Sequence, residues 1–198
     1  MDPKIRLAPL AGEALERHLP ALAALRIEVF RAWPYLYEGS IDYEERYLRV
    51  YAETAGAVIV GAIRGEELVG AATALPLAAE PERLQRPMAD SGLTVEELFY
   101  FGESVLQRRF RGQGIGVGFF TAREAWAREQ GGFTHACFCG VVRDPADPRR
   151  PPGFVPLDEF WRRRGYRPVE GAIGTMSWKE VGAQGETAKP MQFWIKQL

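Results

Sequence analysis

Soft metal donors are scarce in this chain: two cysteines and two histidines in 198 residues. Cys137 and Cys139 lie two apart on a predicted strand, a spacing at which a mutual disulfide does not form, so both are read as reduced thiols. The expected location is accordingly cytoplasmic. His135, Cys137 and Cys139 alternate along one strand face. Same-face neighbours are ~6.8 Å apart and the outer two ~13 Å, too far to share an ion. Core packing and no metal are expected. No apolar run approaches the roughly 18 residues of a membrane span, and the opening Met1-Asp2-Pro3-Lys4 is no signal-peptide core. A formal net charge of −1 gives no basic excess for nucleic acid or an anionic membrane. Repeats and low-complexity tracts are absent.

What remains has the composition of an ordinary globular protein, 46% hydrophobic and 26% charged. The length suits a single domain over residues 1–198. Residues 4–8 read as a first strand, and residues 12–31 as a helix with Leu15, Leu19, Leu22, Leu25 and Val29 near one face. Pro20 is expected to divide that helix or mark a restart. An aromatic loop over 32–40 precedes a helix over 41–53. Strands over 57–63 and 67–75 flank the turn at Arg64-Gly65-Glu66, a hairpin signal. A short helix over 81–88 opens an exposed excursion before a strand over 98–106.

A helix over 114–130 follows, its stripe at Ile115, Phe119, Ala122 and Trp126. Then come a strand over 133–142, an irregular stretch with five prolines over 144–156, a short helix over 157–164, and closing strands over 172–179 and 190–196. One strand–helix–strand crossover among mostly antiparallel neighbours predicts an α/β (α+β) fold, a mixed sheet flanked by helices.

The segment Gln107-Arg108-Arg109-Phe110-Arg111-Gly112-Gln113-Gly114-Ile115-Gly116 lies where the strand meets the helix. Unhindered amides at a helix N-terminus, ringed by guanidinium groups, make a pyrophosphate site. A Walker A loop requires Gly-Lys-Ser/Thr, which Gly116-Val117-Gly118 does not supply. A dinucleotide fingerprint, G-x-G-x-x-G, meets Val117 from Gly112 and Phe119 from Gly114, so both frames fail; the acid expected at the end of the next strand is also missing.

The remaining pattern, Arg111-x-x-Gly114-x-Gly116, resembles the acetyl-CoA loop (R/Q-x-x-G-x-G/A) of the GCN5-related N-acetyltransferases. The strand Tyr100-Phe101-Gly102-Glu103-Ser104-Val105-Leu106 precedes it at that family's distance, and the segment from Leu157 to Gly165-Tyr166 looks like its late helix. Element order agrees over most of the chain. The resemblance implies a strand splayed from its parallel neighbour over 133–142, with the pantetheine arm in the gap bonded to main-chain groups of Val105 and Leu106. Amides of Arg111, Gly112, Gln113, Gly114, Ile115 and Gly116 would take the pyrophosphate, and an N–H near Val105 would polarise the thioester.

The activity implied is acetyl transfer from acetyl-CoA to a small-molecule or protein amine by direct transfer in a ternary complex, without metal. A catalytically silent acyl-CoA-binding or sensing domain is the alternative, and transfer of a longer acyl group a third reading. Glu103 is the candidate general base. Strict alternation puts it on the face of Phe99 and Phe101, so a β-bulge is needed to aim it. The competing role is pairing with Arg108 or Arg109. The family's tyrosine acid, four positions before the late glycine, is replaced by Trp161, and Tyr166 more simply packs. Arg108 and Arg109 are candidates for coenzyme A phosphates, Tyr37 and Arg143 for the acceptor. Phe193, Trp194 and Ile195 on the last strand suit the interior of one subunit or a homodimer interface equally.

Overall fold

The computed structural model describes residues 4–198. Seven strands form one sheet in the order β1-β2-β3-β4-β5-β7-β6: β1 is Ile5–Leu10, β2 Val58–Arg64, β3 Glu67–Pro76, β4 Leu98–Leu106, β5 His135–Val141, β6 Arg167–Lys179 and β7 Glu186–Gln197. Every neighbouring pair is antiparallel except β4 with β5. The crossover between those two is α4, Ile115–Gln130. It lies on one face of the sheet, where Phe119, Phe120 and Ala127 pack against Val58, Val60, Ala72, Phe99 and Phe101.

The opposite face carries α1 (Gly12–Phe30) and α2 (Ile41–Glu53), which bury Leu15, Leu19, Leu22 and Leu48 over β2 and β3. Beside them α3 (Glu82–Ala89) sets Leu84 and Met88 over Tyr100, Cys137 and Phe193.

Several expectations shift. The first helix is not divided: α1 runs unbroken through Pro20. Pro20 is exposed, while Leu19 before it and Leu22 and Ala23 after it are buried, so packing of both halves on the sheet outweighs the lost hydrogen bond. The late helix, α5, is only Asp158–Arg162. β6 begins earlier than expected, at Arg167, with an irregularity between Pro168 and Ile173 hiding its first part from a pattern search. Phe193, Trp194 and Ile195 are 0–3% exposed within this one chain, which favours the interior role.

Candidate active site

β4 and β5 pair at only three positions, Leu98 with His135, Phe99 with Ala136 and Tyr100 with Cys137. Beyond Tyr100 the two strands part, and β5 stays paired with β7 through Val141. The expected splay is therefore present. Its β4 wall is set by the ladder to β3. Gln107 donates its N–H to Val69 O at 3.0 Å, so the main-chain groups of Gln107 face β3. Alternation then turns those of Val105 toward β3 and those of Leu106 and Ser104 toward the gap. Of the two residues expected to offer main-chain groups there, Leu106 keeps that position; the partner is Ser104 rather than Val105.

The glycine loop stands at the mouth of the gap. Gly112 and Gly114 have φ of 77° and 81°, the left-handed region that favours glycine. A Cβ at either would meet nothing within 4 Å, so the loop's outer side is open to an approaching anion. Gly114 is the N-cap of α4, and its carbonyl receives the Gly118 N–H at 3.0 Å. The Ile115, Gly116 and Val117 amides precede that first helical bond, where the positive end of the dipole lies. Ile115 turns its side chain into the core at 7% exposure, leaving only its amide for the loop. Arg111 and Gln113 are exposed, each reaching back to a carbonyl: Arg111 Nε to Leu106 O at 3.4 Å, Gln113 Nε2 to Arg109 O at 3.3 Å. Arg109 pairs with Glu67, and Arg108 is exposed.

The bulge needed to aim Glu103 is there. Ala72 faces Ser104 and Ala74 faces Phe101, so Thr73 alone opposes both Gly102 and Glu103. After that extra residue the alternation resets. Phe99 and Phe101 lie toward α4, as does Ser104, while Glu103 and Val105 lie toward α1 and α2. Gly102 is required, since a Cβ would overlap the hydroxyls of Tyr51 and Thr73. The Thr73 hydroxyl accepts the Glu103 N–H at 3.1 Å.

From the other face Arg123 of α4, 1% exposed, holds the bulge. It donates to Thr73 O at 3.2 Å, Glu103 O at 3.1 Å and Ser104 Oγ at 2.9 Å, and stacks over Phe101. Burial lowers its pKa to about 10, so it remains a cation at neutral pH.

Glu103 does not pair with Arg108 or Arg109. Its Oε1 pairs with Arg26 of α1, and its Oε2 receives the Tyr47 hydroxyl at 3.0 Å. Arg26 also pairs with Glu44, which in turn receives the Tyr37 hydroxyl at 2.7 Å. Burial acts against the Arg26 charge, but Glu103, Tyr47 and Glu44 outweigh it and raise its pKa. Arg26 is thus held between two buried carboxylates, Glu103 and Glu44.

Arg26 and Glu44 escaped the sequence reading, although the signal existed. Arg26 continues the stripe Leu15, Leu19, Leu22, and Glu44 starts the stripe Leu48, Tyr51. A charged residue in such a register is buried and needs a partner.

Arg143 binds Glu180 at 2.6 Å and donates to the carbonyls of Pro34 at 2.6 Å and Tyr35 at 3.0 Å. It thus fastens the aromatic loop of residues 31–40 to the end of β6. Tyr37, on that loop, reaches Arg26 through Glu44. Trp161 lies over Gly140 of β5, edge-on to Phe138 and Trp194 at 5.0 and 5.1 Å. Tyr166 is 2% exposed, donates to Glu124 at 3.0 Å and has its pKa raised by burial and then by Glu124. It is a packing group, as expected. Cys137 and Cys139 are buried in the core beneath α3, and among the described residues no group of three or more His, Cys, Asp or Glu gathers into a metal site.

No protein-family model and no curated protein matches the sequence. Solved structures match along its whole length. The ribosomal-protein-alanine N-acetyltransferase of Brucella melitensis aligns with a TM-score of 0.61 at 17% identity, covering 98% of this chain and 99% of that one. A GCN5-related N-acetyltransferase from Kribbella flavida gives 0.60 at 15%, covering 98% of each. An acetyltransferase from Thermus thermophilus gives 0.56 at 17%, covering 100% of each. At these identities the likeness speaks for architecture: the chain has the fold of the GCN5-related N-acetyltransferases.

Proposed function

We propose that this protein is an acetyl-CoA-dependent N-acetyltransferase, moving the acetyl group to a primary amine by direct transfer in a ternary complex. The observation that carries the reading is an open loop of amides at Gly112–Gly116 standing at the mouth of a strand pair that parts after Tyr100. A diphosphate on the loop leaves an extended pantetheine arm one place to lie, along the unpaired edge of β4. Resident fit is good: the loop amides, Arg111 and the α4 dipole suit the phosphates, and main-chain groups of Ser104 and Leu106 suit the arm's amides.

When bound, acetyl-CoA supplies an activated acyl carbon near the bulge. The main-chain N–H of Ser104, turned toward the gap, would donate to the thioester oxygen and stabilise charge developing on it. Glu103 faces the acceptor side. It acts there as an anchored negative charge that favours an incoming ammonium, with Tyr37 and Tyr47 holding the carboxylates in place. Arg143 shapes the acceptor wall by fixing residues 31–40. Trp161 offers no acidic proton, so the proton for the coenzyme A thiolate, a tolerable leaving group, comes through water. Neither a metal nor a nucleic acid enters the scheme, and we place the protein in the cytoplasm.

The test is calorimetry with acetyl-CoA, followed by thiol release in the presence of primary amines. One-to-one binding with amine-dependent release is expected. Binding without release for any amine points to the sensing domain instead.

A further inference from the structure

A second carboxylate, on a turn packed beside Tyr100 of β4, lies within electrostatic reach of Glu103. Glu80 follows a single helical turn, residues 77–79, that leads out of β3. Its N–H donates to Leu77 O at 3.0 Å, its carbonyl accepts from Gln85 Nε2, and Leu77 is fully buried in the cluster that contains Tyr100. The main chain is thus fixed while the half-buried carboxylate accepts no hydrogen bond and makes no ion pair among the described residues. Glu103 is the opposite case, with one oxygen on Arg26 and the other on Tyr47. A carboxylate held by a guanidinium gives up its lone pairs reluctantly; a bare one does not.

The groups in electrostatic reach of Glu80 come from every element around it: Glu103 and Tyr100 of β4, Tyr47 and Tyr51 of α2, Cys137 and Cys139 of β5, and Arg83 of α3. Burial pushes the phenols and the Cys137 thiol up, and the Cys139 thiol to about 12, so all stay neutral at pH 7. Arg83 is exposed and is the one cation of the set. Burial, then Glu103, raise Glu80 to about 7 against the opposing pull of Arg83.

We propose that Glu80 is the catalytic base of the transfer, and that Glu103 is its fixed electrostatic partner. The assignment rests on the acetyltransferase reading. An alkyl ammonium entering between the two carboxylates gives one proton to Glu80. The freed nitrogen lone pair forms the C–N bond at the thioester carbon. Collapse of the tetrahedral adduct breaks the C–S bond, and the second nitrogen proton passes to the departing thiolate through water. Glu80 then releases its proton to solvent. An amine with a pKa near 10 loses its proton to a group near 7 with an uphill factor of ~10³, against ~10⁵ to 10⁶ for an ordinary carboxylate. The cleft therefore suits cationic primary amines over hydroxyl acceptors, which bring no charge to satisfy it.

The test is a carboxyl titration by carbon-13 NMR on the full-length protein labelled at glutamate side chains. One glutamate should titrate near pH 7, its signal absent in Glu80→Gln and its midpoint lower in Glu103→Gln. Thiol release from acetyl-CoA with phenethylamine, cadaverine and an N-terminal alanyl peptide is then read against pH. Glu80→Gln should lower kcat/KM at least 100-fold at pH 7 and erase the acidic limb while acetyl-CoA affinity stays within twofold. Glu80→Asp should keep the limb. No glutamate titrating above pH 6, or an intact acidic limb in Glu80→Gln, overturns the proposal. Failure of the wild type to bind acetyl-CoA overturns the acetyltransferase reading separately, because the titration uses no cofactor.

Discussion

Replacing Arg123 with methionine should cost more than its apolar surroundings suggest. The side chain is buried under α4, yet it is the donor for two main-chain carbonyls, Thr73 O and Glu103 O, that the bulge turns out of the β3–β4 ladder, and for the Ser104 hydroxyl. Methionine fills similar space and donates nothing. Each carbonyl left without a donor costs about 1–3 kcal/mol, which for two gives about 2–6 kcal/mol. Relief of guanidinium burial returns part of this, so a net loss of about 2–4 kcal/mol is expected. For a chain of this size that is a fall in Tm of about 4–16 °C.

Urea denaturation followed by circular dichroism, with a scanning-calorimetry Tm, measures it. Acetyl-CoA affinity should fall too, since Ser104 and Glu103 would no longer be held on opposite sides of β4. A variant with an unchanged denaturation midpoint and unchanged slope would refute the idea that Arg123 holds the bulge.

Gly102→Ala places a methyl group on the Tyr51 and Thr73 hydroxyls; stability should fall by about 1–3 kcal/mol and kcat should fall more than the KM for acetyl-CoA changes. Tyr166→Phe removes one hydrogen bond from Glu124, which keeps Lys196 at 2.9 Å, so turnover should stay within threefold and its pH profile unchanged. The raised Glu80 pKa means the folded protein binds that proton more tightly than the unfolded chain. This stabilising contribution is present below the ordinary carboxylate pKa and is lost as pH rises from about 4.5 to about 7. Glu80→Gln should therefore match the wild type near pH 4 and exceed its stability at pH 8, in urea titrations at both values.

The parts of this fold legible in the sequence are those written in local periodicity. The α4 stripe at Ile115, Phe119, Ala122 and Trp126 and the glycines beside it marked the crossover and the loop, while the splay was an expectation drawn from the resemblance to the GCN5-related N-acetyltransferases. The bulge followed from a conflict between strict alternation and a charged Glu103 on the face of Phe99 and Phe101. The rest depended on what meets across the sheet. The partners of Arg26 and Arg123 come together only when the helices dock, when one meets Glu44 and Glu103 and the other the bulge carbonyls. Glu80 lies on a turn with no periodicity, and only the position of that turn over Tyr100 gives it meaning. Pro20 misled because a local penalty of about 3 kcal/mol is smaller than what a docked helix gains by burying Leu15, Leu19 and Leu22.

The most direct measurement is isothermal titration of acetyl-CoA into the wild type and Gly114→Val. At φ 81° a valine is strained by about 1–2 kcal/mol and projects its branches into the open space over the loop amides. One-to-one binding by the wild type is predicted, weakened at least 30-fold in the variant while the fold is kept. Equal affinity in the two proteins, or no binding by the wild type, would contradict a diphosphate seated on residues 111–116.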